Sequence, residues 1–207
     1  MAGEIIAVGE DVKGWKVGER VSANFFVDYI DGDLTPEISA TALGGAIDGV
    51  LTQYKIFPAH VSPLLFHAVF SNIPLQSLVA IPDHLSYEEA STLPCAALTA
   101  YAALIAPAPL KGGDTVLVEG TGGVSIFGLQ FAVASGATVI ATSSSDEKLV
   151  LAARLGAKHV INYRQVPNWE EEVLKFTNGR GVDHAIEVCI NHYMNIPSEL
   201  DYSGRGS

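Results

Sequence analysis

The chain has 207 residues, with 12 Lys and Arg against 23 Asp and Glu for a formal charge of −11, and 48% of its residues are hydrophobic. That is a globular composition, and an acidic chain without a basic run repels phosphate backbones and anionic membrane surfaces alike, which argues against nucleic-acid and membrane partners. Two cysteines, Cys95 and Cys189, are too few for a disulfide framework or a four-ligand structural zinc site.

Residues 1–4 carry neither the basic nor the apolar region of a secretory leader, which predicts a cytoplasmic protein. Over about the first 90 residues no helical period is sustained, and Gly and Pro break the pattern into short strands and turns. Apolar segments at 5–8 and 17–21 flank a charged turn containing Gly14, a pattern that predicts a β-hairpin or corner. Three stretches without charge, 56–82, 90–110 and 121–145, are too interrupted to span a membrane. The first two carry prolines, among them Pro58, Pro63, Pro94 and Pro109, and the third is broken by Gly122, Gly123, Gly128 and Gly136.

From Leu110 onward strands and helices alternate: strand 115–119, helix 122–134, strand 138–142, helix 146–155, strand 159–162, helix 169–177, strand 183–188. Such βαβαβαβ alternation with short connections predicts a parallel, doubly wound sheet. Gly136, Gly156 and Gly179 each follow a predicted helix, where a C-terminal cap belongs.

Chemistry enters where the first of these strands runs into Gly120-Thr121-Gly122-Gly123-Val124-Ser125. A glycine turn at a helix N-terminus aims backbone N–H groups and the helix dipole at a pyrophosphate, so Gly120, Gly122, Gly123 and Val124 are the candidate cradle. In the G-x-G-x-x-G pattern the third glycine is replaced by Ser125, a small residue at a position that serves helix–strand packing. The next strand ends in Thr142-Ser143-Ser144-Ser145, without the acid that an NAD site presents to the adenine ribose. Hydroxyls at Ser143 and Ser144, with Lys148 nearby, suit a 2′-phosphate and favour NADP(H). Asp146 is a rival acid, placed where its common role is to stabilise a helix N-terminus.

Four segments resemble the zinc-independent medium-chain dehydrogenases/reductases, the quinone-oxidoreductase and alcohol-dehydrogenase-like group with an enoyl-reductase-type domain. They are 8–21 around Gly14-Trp15-Lys16-Val17-Gly18-Glu19-Arg20, the run Gly49-Val50-Leu51-Thr52-Gln53-Tyr54, 78–101 around Pro94-Cys95-Ala96-Ala97-Leu98-Thr99-Ala100-Tyr101, and the strand–glycine–helix unit. The resemblance implies an incomplete GroES-like β domain over 1–98, followed by a truncated Rossmann NADP(H)-binding domain over 99–187 and a non-family tail, 188–207. It also implies homo-oligomeric full-length relatives and a small-molecule substrate. Lys148 and Tyr163, fifteen positions apart, match the pair that often holds the 2′-phosphate in such enzymes, and Thr99 matches a threonine near the nicotinamide end. Cys95 falls where zinc-dependent relatives carry a cysteine ligand, but the remaining ligands have no counterpart, so no metal is expected and Cys95 is taken as a small buried apolar residue. No acid–base pair or nucleophile triad is legible, as expected where a cofactor carries the hydride.

Two segments depart from the family. Residues 61–76 form an apolar, aperiodic insert where family members pass directly from a segment like 57–60 to one like 77–82. Val61-Ser62 can be encoded as GTAAGT, Ser71-Asn72 as TCTAAC and Gln76 as CAG, a splice donor, a branch point and an acceptor. Val188-Cys189 can likewise be GTATGT, and the codons of 203–207 can hide a shifted Val-Gly-Gly-Pro, the family's own continuation after Glu187. The expectation is in-frame intron retention, with strands missing before Met1 and after 187, exposed strand edges and poor solubility; a divergent tail is the rival. Genomic and message sequences whose codons at these positions do not give those signals would remove the idea. The function expected is an NADP(H)-dependent oxidoreductase acting on a carbonyl, enone, quinone or alcohol. The alternatives are a catalytically inactive nucleotide-binding fragment and a non-functional product of intron retention.

Overall fold

The computed structural model describes residues 1–29, 32–59, 77–106 and 108–188, and the insert 61–76 and nearly all of the tail lie outside them. The chain divides into two compact units, Met1–Cys95 and Ala96–Ser207.

In the first unit β1 (Ala2–Glu4), β2 (Arg20–Ala23) and β3 (Leu78–Ala80) form an antiparallel sheet in that order. The hairpin expected around Gly14 is present, with its first arm shifted toward the N-terminus. Ile5 is buried and its N–H donates to Glu19, but Ile6 and Val8 are exposed, so the apolar run 5–8 does not continue the strand. Two short helices have sequence-local causes. α1 (Pro36–Ser39) opens with Pro36 behind a Thr35 cap, and α2 (Tyr87–Ser91) opens with a capping box in which Ser86 and Glu89 satisfy each other's backbone N–H groups. Arg20 ties β2 to the α2 region, its guanidinium 4.6 Å from the centre of the Tyr87 ring and donating to the Leu85 carbonyl.

A π-helical turn, Leu93–Ala97, leads into α3 (Leu98–Ile105). The alternation then runs β4 (Thr115–Glu119), α4 (Gly123–Ala134), β5 (Thr138–Ser143), α5 (Asp146–Arg154), β6 (His159–Asn162), α6 (Trp169–Phe176) and β7 (His184–Ile186). These are the expected elements, with helix ends moved by one residue where Gly122, Leu155 and Thr177 become caps. The last strand is shorter than 183–188. The sheet is parallel throughout, in the order β6-β5-β4-β7. The chain therefore steps outward from β4 through β5 to β6 and returns to the other side of β4, which places a switch point between β4 and β7; open α/β sheets bind ligands beyond the carboxyl ends of their strands at such a point.

Side-chain alternation along β4 builds the core on both faces. Val116 and Val118 join Leu129, Ala132, Val139, Ala141, Ala152 and Ile186 beneath the helices α3, α4 and α5. Leu117 points the other way, onto Ile140, Ile161 and Val173 of α6. Gly136, Gly156 and Gly179 all have positive φ, as their expected capping roles require. Among the described residues no helix is long and apolar enough to cross a membrane.

Candidate functional site

At the end of β4 the backbone turns through Gly120, whose φ of +82° lies in the left-handed region, and reaches Gly122, the N-cap of α4. Gly122 has no side chain with which to cap, so it leaves the first-turn amides of a twelve-residue helix without that acceptor. A Cβ at Gly122 would meet nothing within 4 Å, and one at Gly120 only the Ser125 hydroxyl at 3.9 Å. Open space beside a helix start that no side chain caps, at the positive end of the helix dipole, fits an anion such as a pyrophosphate. Gly123 approaches Ala96, whose methyl would lie 3.6 Å from an added Cβ, and the Val124 side chain packs against the core, which leaves only its backbone to serve a ligand.

Ser125, the residue in place of the third glycine, is buried and donates its hydroxyl to the Glu119 carbonyl at 3.0 Å. It pins the helix start to the strand end. The close helix–sheet approach expected at this position falls instead on Gly128, where a Cβ would sit 2.3 Å from Ile186 Cδ1.

Hydroxyls from β5 bracket the turn. Thr142 Oγ1 accepts the Gly120 N–H at 3.4 Å, and the hydroxyls of Thr121 and Ser143 lie 3.1 Å apart. Ser143 is buried and also accepts the Ser145 N–H, so the structure assigns its side chain to holding the turn. Ser144 beside it is half-buried, and Ser145 caps α5 by accepting the Lys148 N–H. Tyr163, half-buried, donates its backbone N–H to the Ser143 carbonyl at 3.2 Å. Ser143, Ser144, Lys148 and Tyr163 are thus gathered around the carboxyl ends of β5 and β6, with Lys148 exposed. Thr99 stands apart, exposed at the start of α3, a helix that packs against α4 through the edge-to-face pair Tyr101 and Phe131. Asp146, the rival acid, accepts from Asn162 Nδ2 at 2.6 Å and from Gln165 Nε2 at 2.8 Å. Both of its oxygens are engaged within the α5–β6 corner.

The sequence reading missed Thr121, Thr142 and the acid Glu119. The last residue of a strand whose other members are apolar or hydroxyl-bearing, Glu119 is only 9% exposed, and its Oε1 has no hydrogen-bond partner. Burial first, then the hydrogen bond and charge of Glu187, push its carboxyl up to about 8. A lone carboxylate closing a buried strand was the available signal.

Cys95, in the π-helical turn, is exposed, contrary to the burial expected of it. Among the described residues no three His, Cys, Asp or Glu side chains converge as a metal site would require, so they do not fit a zinc ion. Cys189, His60, His67 and His192 lie outside the described residues.

Known proteins similar to this chain are dehydrogenases and quinone oxidoreductases. Residues 123–198 match the family described as zinc-binding dehydrogenase. The chain is 49% identical over 189 residues to a zinc-type alcohol dehydrogenase-like protein of Schizosaccharomyces pombe, covering 90% of this chain and 50% of that one. It is 27% identical to human quinone oxidoreductase over 100% of this chain and 51% of that one. A structure from Sinorhizobium meliloti 1021 named for an alcohol dehydrogenase superposes with a TM-score of 0.79 at 41% identity, over 97% of this chain and 54% of that one. Escherichia coli quinone oxidoreductase complexed with NADPH superposes with a TM-score of 0.61 at 25% identity, over 88% of this chain and 45% of that one. The chain spans about half the length of the curated relatives it matches. In its parallel sheet, its glycine turn and these matches the chain is similar to the medium-chain dehydrogenases/reductases, among them proteins named alcohol dehydrogenase and quinone oxidoreductase.

Proposed function

We propose that the chain binds NADP(H) as the cofactor-binding part of a zinc-free oxidoreductase acting on a carbonyl, enone, quinone or alcohol. The observation that carries the reading is the uncapped start of α4 behind Gly120, Gly122 and Gly123, with Ser144, Lys148 and Tyr163 gathered at the neighbouring strand ends and no free acid at Asp146. The amides of Gly123 and Val124 receive the pyrophosphate, while Thr142, through the Gly120 N–H, and the linked hydroxyls of Thr121 and Ser143 keep the turn in its receiving shape. Lys148 supplies the positive charge for a 2′-phosphate, and Tyr163 and Ser144 supply hydroxyls. Thr99 is the residue offered to the nicotinamide end. When bound, the dinucleotide supplies the hydride, and the protein's part is to orient it and exclude water.

Titration of the 207-residue chain with NADPH and with NADH, read by cofactor fluorescence, tests the proposal. The expected result is tighter binding of NADPH, about tenfold or more. Equal affinity, or a preference for NADH, overturns the assignment of the 2′-phosphate pocket. Reduction of a quinone or enone panel by NADPH tests the catalytic half.

A further inference from the structure

At the carboxyl edge of the sheet two acids meet that the cofactor reading does not use. The parallel register sets Val118 opposite Ile186, so the residues that follow them, Glu119 and Glu187, leave the two strands side by side. Both fall on the face of Leu117 and Ala185, since side chains alternate along a strand. Glu119 is buried with Oε1 unpartnered, and it immediately precedes the glycine turn. Among the described residues no cation acts on Glu119, and the lysine at the neighbouring strand ends, Lys148 of α5, is exposed. α4 carries no titratable side chain, the facing β5 residues Thr142 and Ser143 are neutral, and His184 of β7 is 3.5 Å from Asp114 at the opposite end of the strand. α3 contributes Tyr101; α6 contributes Glu170, Glu171, Glu172 and Lys175, and Lys175 is paired with Glu172. Among the described residues Glu187 is the charged group that acts on Glu119.

We infer that Glu119 and Glu187 form a proton-dependent gate on the dinucleotide site: sharing one proton they present a single charge beside the glycine turn, and with that proton lost they present two and repel the pyrophosphate. The inference rests on the cofactor reading above. It adds to that reading a proton as a ligand that binds together with the dinucleotide, so that each favours the other. No covalent step is involved; one proton leaves the carboxyl pair for solvent.

The test is the dissociation constant of NADPH for the full chain from about pH 6.5 to 9 at fixed ionic strength, a window shared with imidazole, thiol and α-amino groups, so the carboxyl variants below isolate the contribution of the pair. The expected result is a loss of affinity with rising pH, about three- to tenfold across the window. Glu119→Gln, which keeps the shape and removes the charge, should flatten the profile. Glu187→Gln should move its midpoint to lower pH, because Glu119 then ionises without a like charge beside it; this second variant decides the matter if the first does not fold. A wild-type profile that is flat, or a Glu119→Gln profile as steep as wild type, overturns the gate and leaves cofactor binding intact. Absence of NADPH binding at every pH overturns both.

Discussion

Ile186 of β7 occupies the space that a side chain at Gly128 of α4 would need, its Cδ1 2.3 Å from the ideal Cβ position. Gly128 is therefore what allows α4 to lie close over the sheet at the switch point, and the contact joins the helix that starts at the glycine turn to the last described strand. Ile186 is 3% exposed and hemmed in by Val118 and Leu129, so its methyl has little room to move away. Gly128→Ala should destabilise the chain by about 1–3 kcal/mol, the usual cost of overpacking. Ile186→Val removes the clashing methyl, so adding it to Gly128→Ala should return part of the lost stability, although alone it destabilises. Urea unfolding of the two single variants and the double variant measures this; simple additivity would show that the contact does not limit the packing.

The 2′-phosphate reading makes Lys148 a specificity residue. Its N–H helps begin α5, but its side chain is exposed, so Lys148→Ala should leave stability nearly unchanged. NADPH affinity should fall by about 1–2 kcal/mol, roughly five- to thirtyfold, and NADH affinity should hold. Parallel titrations with the two cofactors check it. An equal loss for both would assign Lys148 to the pyrophosphate instead.

Glu119 also sets a pH dependence of folding. Its carboxyl is pushed up to about 8 in the folded chain by burial and then by Glu187. In the unfolded chain it titrates near its ordinary value of about 4.3. Between those values the folded state binds the more protons, so this contribution is full in acid and is lost as the pH rises through about 8. Chemical-denaturation midpoints should reveal a loss on the order of 2 kcal/mol from this group over that range, at about 1.4 kcal/mol per unit of elevation reduced by partial solvation. In Glu119→Gln that slope should disappear.

Asp183 acts in the opposite direction. Its carboxylate accepts from Arg180 and from the Thr115 N–H at 2.7 Å, while its own N–H donates to the Thr115 carbonyl at 2.8 Å. The Arg180 hydrogen bond, foremost, holds its carboxyl below the ordinary range. That stability is present above the unfolded value and fades as acid protonates the group. Asp183→Ala should cost about 1–3 kcal/mol, because the buried start of β4 is left with an unpaired N–H. Asp183→Asn, which keeps an acceptor, should cost less. Thermal melts at neutral pH distinguish the two.

The alternating half of the fold was legible because its signals are local. β4, β5 and β6 are short apolar runs with β-branched residues, α5 begins at a Ser cap, and glycines with positive φ stop the helices where the pattern predicts. The hairpin at the start of the chain was less legible, since 5–8 has an apolar composition but only Ile5 finds a partner in the Glu19 region. The glycine turn, Lys148 and Tyr163 could be found because each has a fixed place relative to a strand end or helix start. Cys95 could not be placed correctly, because which residues of a turn are buried is decided by neighbours distant in the chain: Ala97 of the same turn is buried and Cys95 is exposed.

The sequence by itself determined the element types, the parallel alternation and an anion-receiving turn, all consequences of hydrophobic period and backbone freedom over a few neighbouring residues. Only the tertiary structure decided that Ser143 braces the turn through Thr121, that Asp146 is engaged by Asn162 and Gln165, and that Glu119 meets Glu187. Each of these pairs spans sixteen or more positions, and what brings its members together is the strand order and register. The burial and charge that govern Glu119 come from the neighbours the sheet gives it, and composition along the chain holds no record of them.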